Sequence, residues 1–455
     1  MTRIAITVLS CALAACSTSA PATPGDAATA PPAVGLELLH KEAGGDTWTP
    51  ATTGFWGDPI DLRVTGVLPG IAVNITATTA HYHASATFIA NASGVVDLAT
   101  TAPETGGTYS GVDVDGLLWS ATTTDASSNT ADYPVTFQVE VPGTAPANVV
   151  YQRWISAPGS KMVNVMERGL VGVMAVPAGV GPHPAIIVLG GSDGGITWAA
   201  GTAAYYASMG YVCLGLAYFD EPGLPSTLSH IPLEYFTKAI GWLNARPEVV
   251  ADHIGVLGTS RGGELALLLA ATYPALKAVV AMAPSGYVWG GGATNSAWTL
   301  MGKEVTYVPS SGAGPTVTMD SQGRSVESYA PAFLADLNAA SPAAVAAATI
   351  EVEKVNGPVL VLGGADDQLW ASCTLSKVVA DRLAGRQPSR ADQVVCYPET
   401  GHFIFVPGIP TGGQSESYQA NSNTWLAIGG TPAGTAHAAR DADGKIRAFL
   451  SAALR

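Results

Sequence analysis

Charged residues are scarce in this sequence of 455 residues: Asp, Glu, Lys and Arg make up 12% of it, against 47% hydrophobic residues. A chain so poor in charge and so rich in apolar residues is not intrinsically disordered, and its length suffices for two domains or three. Positive charge is scarcer still, with 21 Lys and Arg against 35 Asp and Glu, for a net charge of −14. Since no basic run occurs, nucleic acids and anionic membrane surfaces are excluded as electrostatic partners.

Cysteine and histidine are also few, and neither is arranged as a metal site. The five cysteines are Cys11, Cys16, Cys213, Cys373 and Cys396, and their spacing matches no zinc motif. His81 and His83 share one face of a predicted strand without an acidic or cysteine neighbour, which favours two solvent-exposed histidines. The glycine-rich GGSDGG is not followed by the Lys-Ser or Lys-Thr of a phosphate-binding loop. We therefore expect neither a metal nor a cofactor.

The start of the sequence suggests export and attachment to a membrane. MTRIAITVLSCALAAC carries a positive charge at Arg3, continues as an apolar run and ends in Leu13-Ala14-Ala15-Cys16. The run is too short to span a bilayer stably, and it resembles a bacterial lipoprotein signal peptide, in which the lipobox cysteine becomes the acylated first residue. An ordinary secretory signal and a buried helix are the alternatives.

This resemblance implies an exported protein that a lipid anchors to the membrane. Residues 1–16 would be the signal peptide and lipobox, and residues 17–34, rich in Ala, Pro, Ser and Thr, a flexible tether. Cys16 would hold the protein on the periplasmic or surface side through its N-terminal lipid alone. Ser17 is compatible with sorting to the outer membrane.

Two patterns of hydrophobicity divide the rest of the chain. Residues 35–147 alternate apolar and polar positions in short runs such as IDLRVTGV and YPVTFQVEV, which predicts a β-sandwich. Over residues 150–455, apolar runs of strand length such as AIIVLGG alternate with helical stretches such as PLEYFTKAIGWLNA. This alternation predicts an α/β domain with a mostly parallel sheet, whose ligands bind at the carboxyl ends of the strands.

The stretch GVLGTSRGGELAL, residues 255–267, contains the pattern G-x-S-x-G between a predicted strand and a predicted helix. This is the setting of a nucleophile elbow, in which a serine lies on a sharp turn at the end of a strand. Gly258 and Gly262 flank the turn, where a side chain would collide with neighbouring backbone. Ser260 is thus the candidate nucleophile, and a structural serine is the alternative.

A nucleophilic serine needs a base and a carboxylate that orients the base, and in α/β-hydrolases the three follow in the order Ser, acid, His. The stretch ADDQLW, after the strand GPVLVLGG, supplies Asp366 and Asp367. His402, after the strand DQVVCYP, is the candidate base. Two adjacent carboxylates cannot both face one imidazole, so we favour Asp367 and keep Asp366 as the alternative.

The oxyanion that forms during acyl transfer needs backbone N–H donors. One candidate is the N–H of Arg261, directly after Ser260. The other is the N–H of Ser192 in GGSDGG, where glycines allow the backbone to approach a ligand closely. A plain turn is the alternative for this glycine run.

The ordered motifs resemble those of the acyl-CoA thioesterases in the bile acid-CoA:amino acid N-acyltransferase family. DLRVTGVLPG and TGGTYSGVDVDGLLWS are similar to that family's Ig-like N-terminal module. GGSDGG, LAYFDEPGLP, GTSRGGELAL, TNSAWTLMGKEVTYVP, GPVLVLGGADDQLW and TGHF follow in the family's order. The resemblance extends from about residue 35 to residue 455.

This resemblance implies an Ig-like β-sandwich followed by an α/β-hydrolase domain that acts on acyl thioesters, with Ser260, Asp367 and His402 as its triad. Relatives that conjugate amino acids carry cysteine at the elbow, so the serine indicates hydrolysis. It also implies that the segments carrying Cys373 and Cys396 lie side by side and form a disulfide. Cys213, in an apolar strand, is expected to stay a buried free thiol.

The export signal leaves the substrate open, because CoA thioesters are scarce outside the cytoplasm. An extracytoplasmic carboxylesterase, a catalytically silent surface-binding protein and an enzyme that transfers acyl groups to amines are the alternatives. Lys161, Arg261 and Lys303 are too scattered in sequence to indicate a patch for the phosphates of CoA. Acyl chain length and oligomeric state do not follow from the sequence.

Overall fold

The computed structural model describes residues 33–42, 45–123, 134–291, 294–388, 390–404, 407–412, 415–419 and 423–455. The predicted signal peptide, the lipobox at Cys16 and the tether up to residue 32 lie outside these residues. Within the described ranges, no helix is both long enough and apolar enough to cross a membrane.

The N-terminal region consists of two mostly antiparallel sheets. Its strands are β1 (Gly35–His40), β2 (Thr49–Pro50), β3 (Thr53–Phe55), β4 (Ile60–Thr65), β5 (Ala72–Thr78), β6 (His83–Ile89), β7 (Val96–Asp97), β8 (Pro134–Glu140) and β9 (Ala147–Trp154). One sheet has the order β2-β1-β4-β7 and the other β3-β9-β8-β5-β6. Alternating residues of both sheets, such as Leu62, Ile75 and Phe137, share one buried core. This is the sandwich that the two-residue alternation predicts.

The C-terminal region is built around one large sheet and carries two small ones. Its strands are β10 (Lys161–Glu167), β11 (Leu170–Val176), β12 (His183–Leu189), β13 (Val212–Ala217), β14 (Ile231–Pro232), β15 (Val249–Thr259), β16 (Leu276–Met282), β17 (Trp298–Leu300), β18 (Lys303–Glu304), β19 (Thr316–Met319), β20 (Ser325–Ser328), β21 (Val359–Gly364), β22 (Gln393–Tyr397), β23 (Glu416–Gln419) and β24 (Thr424–Ala427). The large sheet has the order β10-β11-β13-β12-β15-β16-β21-β22. From β13 to β22 its strands run parallel, while β10 and β11 join antiparallel at one side.

Helices cover both faces of the large sheet. The helices of this region are α2 (Thr197–Ala207), α3 (Glu234–Asn244), α4 (Arg261–Thr272), α5 (Ala330–Ala339), α6 (Pro342–Ala348), α7 (Ser372–Ala384) and α8 (Pro432–Leu454), and α1 (Gly116–Trp119) lies in the sandwich. Of these, α2, α3, α4, α7 and α8 pack on the large sheet. Strands such as β13 are buried along their whole length because helices pack on both of their faces. The chain therefore has an α/β-hydrolase domain after its β-sandwich, as predicted. The single turn α1 has no counterpart in the purely β pattern expected for residues 35–147.

The cysteines of the described region lie in two settings. Cys373 and Cys396 form a disulfide with a Cα–Cα distance of 5.6 Å, which links the start of α7 to β22. Cys213 is a buried free thiol in β13, and burial raises the pKa of its thiol well above the ordinary value. The disulfide therefore joins the two segments that carry the candidate acid and the candidate base.

Candidate active site

Ser260 lies at a sharp turn between β15, in the middle of the sheet, and helix α4. Its backbone has φ 55° and ψ −124°, a strained conformation for a residue with a side chain. The N–H of Ser260 donates to the Met282 carbonyl at 2.8 Å, and its own carbonyl accepts from Gly263 and Glu264 in the first turn of α4. The turn is thus fixed from both sides, as a nucleophile elbow requires.

The two glycines of the pattern are required by close contacts. A Cβ on Gly258 would lie 2.0 Å from the Gly262 carbonyl oxygen, and a Cβ on Gly262 would lie 2.2 Å from the Gly190 carbonyl oxygen. Real Cβ atoms do not approach backbone so closely, so any side chain at either position would displace the elbow. These contacts explain why the spacing G-x-S-x-G occurs here.

His402 and Asp367 form a buried pair at the same edge of the sheet. Asp367 follows β21 and His402 follows β22, and their side chains are 0% and 3% exposed. His402 Nδ1 lies 2.9 Å from Asp367 Oδ2, in hydrogen-bonding contact. Because the strands are parallel, this edge also carries Ser260, so the structure brings the three candidates to one end of the sheet.

Backbone donors hold the Asp367 carboxylate in place. Its Oδ1 accepts from the N–H groups of Leu369 and Trp370, and its Oδ2 accepts from the N–H of Ser372 at 3.2 Å. Burial acts to raise the pKa of this carboxyl, but the neighbouring His402 and the donated hydrogen bonds outweigh it and hold the pKa below the ordinary value. Asp367 is therefore ionised wherever the protein is folded near neutral pH.

Asp366 faces away from the imidazole. It is exposed, its Oδ2 accepts from the N–H of Gly430 at 2.8 Å, and its Oδ1 accepts from the side chain of Gln368. Of the two adjacent carboxylates, the one that the sequence favours contacts His402, and the other fixes the loop ahead of α8.

The hydroxyl of Ser260 and the ring of His402 are not hydrogen-bonded among the described residues. Such bonds are often long in free enzymes and tighten only when substrate binds. The Trp370 ring lies 6.4 Å from the His402 ring and nearly perpendicular to it, and its Nε1 donates to the Ala283 carbonyl. This indole fixes one side of the imidazole.

The GGSDGG loop lies directly beside the candidate nucleophile. A Cβ on Gly191 would lie 3.3 Å from the Cβ of Ser260, so a side chain there would contact the nucleophile. Tyr218 anchors the loop because its hydroxyl donates to the Gly190 carbonyl at 2.6 Å. Ser192, the next residue, is exposed. Arg261 is the first residue of α4, so its N–H has no partner within the helix.

Comparisons with known proteins add to this geometry. The family model described as "Acyl-CoA thioester hydrolase/BAAT N-terminal region" matches residues 57–167, and the one described as "BAAT / Acyl-CoA thioester hydrolase C terminal" matches residues 231–455. Acyl-coenzyme A thioesterase 1 of Rattus norvegicus is 30% identical over 419 residues, which cover 88% of this chain and 94% of that protein. The chain belongs to the acyl-CoA thioesterase/BAAT family. Mitochondrial acyl-coenzyme A thioesterase 2 of Mus musculus is also 30% identical, over 87% of this chain and 86% of that protein.

Solved structures resemble this family member only distantly. A dienelactone hydrolase from Anabaena variabilis superposes with a TM-score of 0.34 at 15% identity, over 65% of this chain and 100% of that one. A dienelactone hydrolase-like promiscuous phosphotriesterase from metagenomic libraries gives a TM-score of 0.38 at 16% identity, over 64% of this chain and 98% of that one.

In this acyl-CoA thioesterase/BAAT family chain, the first turn of α4, directly after Ser260, contains a buried ion pair. Arg261 Nη1 lies 3.2 Å from Glu264 Oε2, and both side chains are almost fully buried. Glu264 Oε1 accepts from Trp298 Nε1 at 2.9 Å and from the Trp289 N–H at 3.2 Å. Burial raises the pKa of Glu264, an effect that Arg261 and these donors offset only in part. The sequence pattern did not predict this cluster; a Glu four residues after the candidate nucleophile, in a largely apolar helix, was its visible signal.

The ion pair also engages the guanidinium of Arg261, the residue next to the candidate nucleophile. Since the Arg261 guanidinium is engaged with Glu264 and donates to the Trp289 carbonyl at 3.1 Å, it is not available to a substrate phosphate. Three acidic residues lie in or beside the GGSDGG loop. They are Asp193, Asp220 and Glu221. Distances from a Cβ built on a loop glycine show how close they lie: 3.3 Å from Gly191 to Asp193 Oδ1, 2.8 Å from Gly194 to Asp220 Cβ, and 3.7 Å from Gly195 to Glu221 Oε1. The loop beside Ser260 therefore carries acidic side chains.

Proposed function

We propose that this protein is a serine hydrolase that cleaves acyl thioesters through an acyl-enzyme, with Ser260 as nucleophile, His402 as base and Asp367 as the orienting acid. The buried contact of 2.9 Å between His402 Nδ1 and Asp367 Oδ2, at the strand edge that carries Ser260, is the observation that supports it most strongly. The related acyl-coenzyme A thioesterases support the thioester substrate.

In this mechanism Ser260 Oγ attacks the acyl carbonyl while His402 Nε2 accepts its proton. Asp367 keeps the Nδ1–H tautomer and stabilises the imidazolium that forms. His402 then protonates the leaving thiol, and the acyl group stays on Ser260. A water molecule, deprotonated by the same imidazole, attacks the acyl-enzyme and releases the acid.

The proposed oxyanion donors are the N–H groups of Arg261 and Ser192. The first lies at the N-terminus of α4, where the helix dipole favours negative charge. The second belongs to the loop in contact with Ser260, and the glycine before it leaves room for the substrate oxygen. Both donors are backbone groups, so substitution of their side chains does not remove them.

The test is acyl-CoA hydrolysis by the wild type and by Ser260→Ala, with labelling by a fluorophosphonate probe. We expect the wild type to hydrolyse the thioester and to be labelled, and the variant to lose activity by several orders of magnitude and all labelling. A wild type that neither reacts with the probe nor hydrolyses thioesters would instead favour a binding protein. A loss below tenfold in the variant would disprove Ser260 as nucleophile.

We further propose that the protein is exported and anchored through lipid at Cys16. The support is the residue pattern of the first sixteen positions, with its short apolar run before Leu13-Ala14-Ala15-Cys16. Mass spectrometry of the membrane fraction should find acyl chains on Cys16 in the wild type, and Cys16→Ala should accumulate as an unlipidated precursor. Normal cleavage of that variant would show that an ordinary signal peptidase processes the protein.

A further inference from the structure

Strand β10 forms an open edge of the large sheet. It is the first strand in the sheet order and pairs only with β11 among the described residues. Six of its seven residues are exposed, and Val165 is the buried one. Met162 and Val163 are each 45% exposed and Met166 is 65% exposed, which is unusual for large apolar side chains on a strand.

This edge carries few of the features that usually prevent strands from pairing with other chains. Its seven residues contain no proline, and its register with β11 is continuous from Lys161 to Glu167, without a bulge. Natural proteins protect free edges with prolines, bulges or inward-pointing charges. A regular, exposed and apolar edge is therefore suited to accept another strand.

The sequence of β10 is complementary to itself in the antiparallel direction. When KMVNVME is paired with a second copy centred on Asn164, Lys161 lies opposite Glu167, Met162 opposite Met166 and Val163 opposite Val165. Asn164 then lies opposite its own copy. Opposite charges and matched apolar pairs directly across two strands are the pairs that stabilise a sheet.

The surroundings of Glu167 suit this arrangement. Its Oε1 accepts from Trp242 Nε1 at 2.7 Å, which orients the carboxylate, and lies 3.9 Å from Arg246 Nη1, while its side chain remains 54% exposed and open to a further cation. Lys161, at the other end of the strand, is exposed and makes no ion pair within the described ranges. In a symmetric pair each Lys161 would lie beside the oriented carboxylate of the other copy's Glu167. One such ion pair would then form at each end of the paired strands.

We propose that two copies of this chain associate through β10, antiparallel and symmetric about Asn164, and so join their two eight-stranded sheets into one. The interface is isologous, because the same strand serves on both sides of a two-fold axis. Main-chain hydrogen bonds supply the attraction, as in other cases of strand addition. The partner is a second copy of β10, because an antiparallel copy places an opposite charge or a like apolar residue across from each side chain but Asn164.

Charge patterning at the two methionines tests the register. In M162E/M166E each introduced carboxylate lies opposite another across the two-fold, whereas in M162K/M166E each cation lies opposite an anion. Both variants remove the same two methionines, so a difference between them reports the pairing itself. V317E/M319E is the matched control, because it places two charges on β19, another exposed edge strand of the chain.

Sedimentation velocity should be run on the full chain carrying Cys16→Ala, so that no lipid drives association. We expect the wild type and V317E/M319E to approach twice the chain mass of 46.2 kDa with increasing concentration. M162E/M166E should remain monomeric, and M162K/M166E should dimerise at low salt and dissociate at high salt. A monomeric wild type at about 100 µM, where the strand pair should form at a Kd in the usual micromolar range, would overturn the proposal. Equal association of the two methionine variants would overturn it as well.

Discussion

At the scale of single residues, the two adjacent carboxylates differ in what they contact. Asp367 accepts four hydrogen bonds, one from His402, while Asp366 contacts Gly430 and Gln368. Removal of the charge should therefore have unequal effects at the two positions.

We expect Asp367→Asn to lower kcat by about 10³- to 10⁴-fold, because an amide at this position favours the wrong imidazole tautomer. Asp366→Asn is the matched control and should change kcat by less than about threefold, since Asp366 is exposed and its oxygens accept from Gly430 and Gln368, not from the ring. Steady-state hydrolysis of one acyl thioester by both variants measures the difference. Reversal of the two effects would place the acid at Asp366.

The residues of the site differ in how far sequence could predict them. Ser260 follows from a local pattern, because the elbow is made within five residues of the chain. The choice between Asp366 and Asp367 does not, since neighbouring side chains differ only in direction. The pair Arg261–Glu264 was not predicted because the indoles that surround it, from Trp289 and Trp298, arrive from a later segment of the chain.

At the scale of elements, one disulfide braces the loops of the candidate acid and base. We expect C373S/C396S to lower the free energy of unfolding of the α/β domain by about 3 kcal/mol, since the bond closes a loop with a sequence separation of 23 residues. Urea unfolding with and without a reductant measures this. The reduced wild type should match the variant; a variant as stable as the oxidised wild type would contradict the expectation.

The chain beyond His402 is held by the β-sandwich. Thr411 and Gly412 donate their N–H groups to the Trp119 carbonyl at the end of α1, at 2.7 and 3.0 Å. Arg153, in β9, donates from Nη1 to the Gly408 carbonyl at 3.0 Å. The sandwich therefore holds Gly408, Thr411 and Gly412, a few residues after the candidate base, which makes Arg153 a positioning residue.

We expect Arg153→Met to lower kcat about tenfold with less than a twofold change in KM, because the Gly408 carbonyl loses its donor and the loop after His402 shifts. Arg153→Lys should retain part of the activity, since an ammonium can still donate to that carbonyl. Arg63→Met, which removes ion pairs on the outer surface of the sandwich, is the control and should leave kcat unchanged. An unchanged kcat in Arg153→Met would contradict this role.

The alternation of strands and helices along the chain predicted the large sheet, because continuous apolar runs of strand length are separated there by helical stretches. The small sheet β19-β20-β24-β23 was not predicted. Its two halves come from segments on either side of β21 and β22, and β19 has no buried residue that would mark it. Pairing between distant segments depends on the tertiary structure and leaves no periodic signal.

At the scale of the whole molecule, negative charge bears on the choice of leaving group. The chain has a net charge of −14, and Asp193, Asp220 and Glu221 lie in or beside the loop next to Ser260. The nearest arginine to the nucleophile, Arg261, is buried against Glu264. On the proposed mechanism, these acids would repel the polyanionic nucleotide of CoA, while the acyl carbonyl would meet the same groups in any thioester or activated ester.

We therefore expect hydrolysis of both acyl thioesters and simple activated esters, with little gain from the nucleotide portion of CoA. The measurement is kcat/KM for an acyl-CoA and for the same acyl group on a short uncharged thiol, each at low and at high salt. Because screening weakens repulsion between exposed charges, added salt should raise kcat/KM for the acyl-CoA and leave the short thioester unchanged. Asp193→Asn should raise the acyl-CoA value at low salt by the same mechanism. A preference for CoA above about a hundredfold, equivalent to ~2.7 kcal/mol, that collapses as salt is added would instead reveal a cationic CoA site and defeat this expectation.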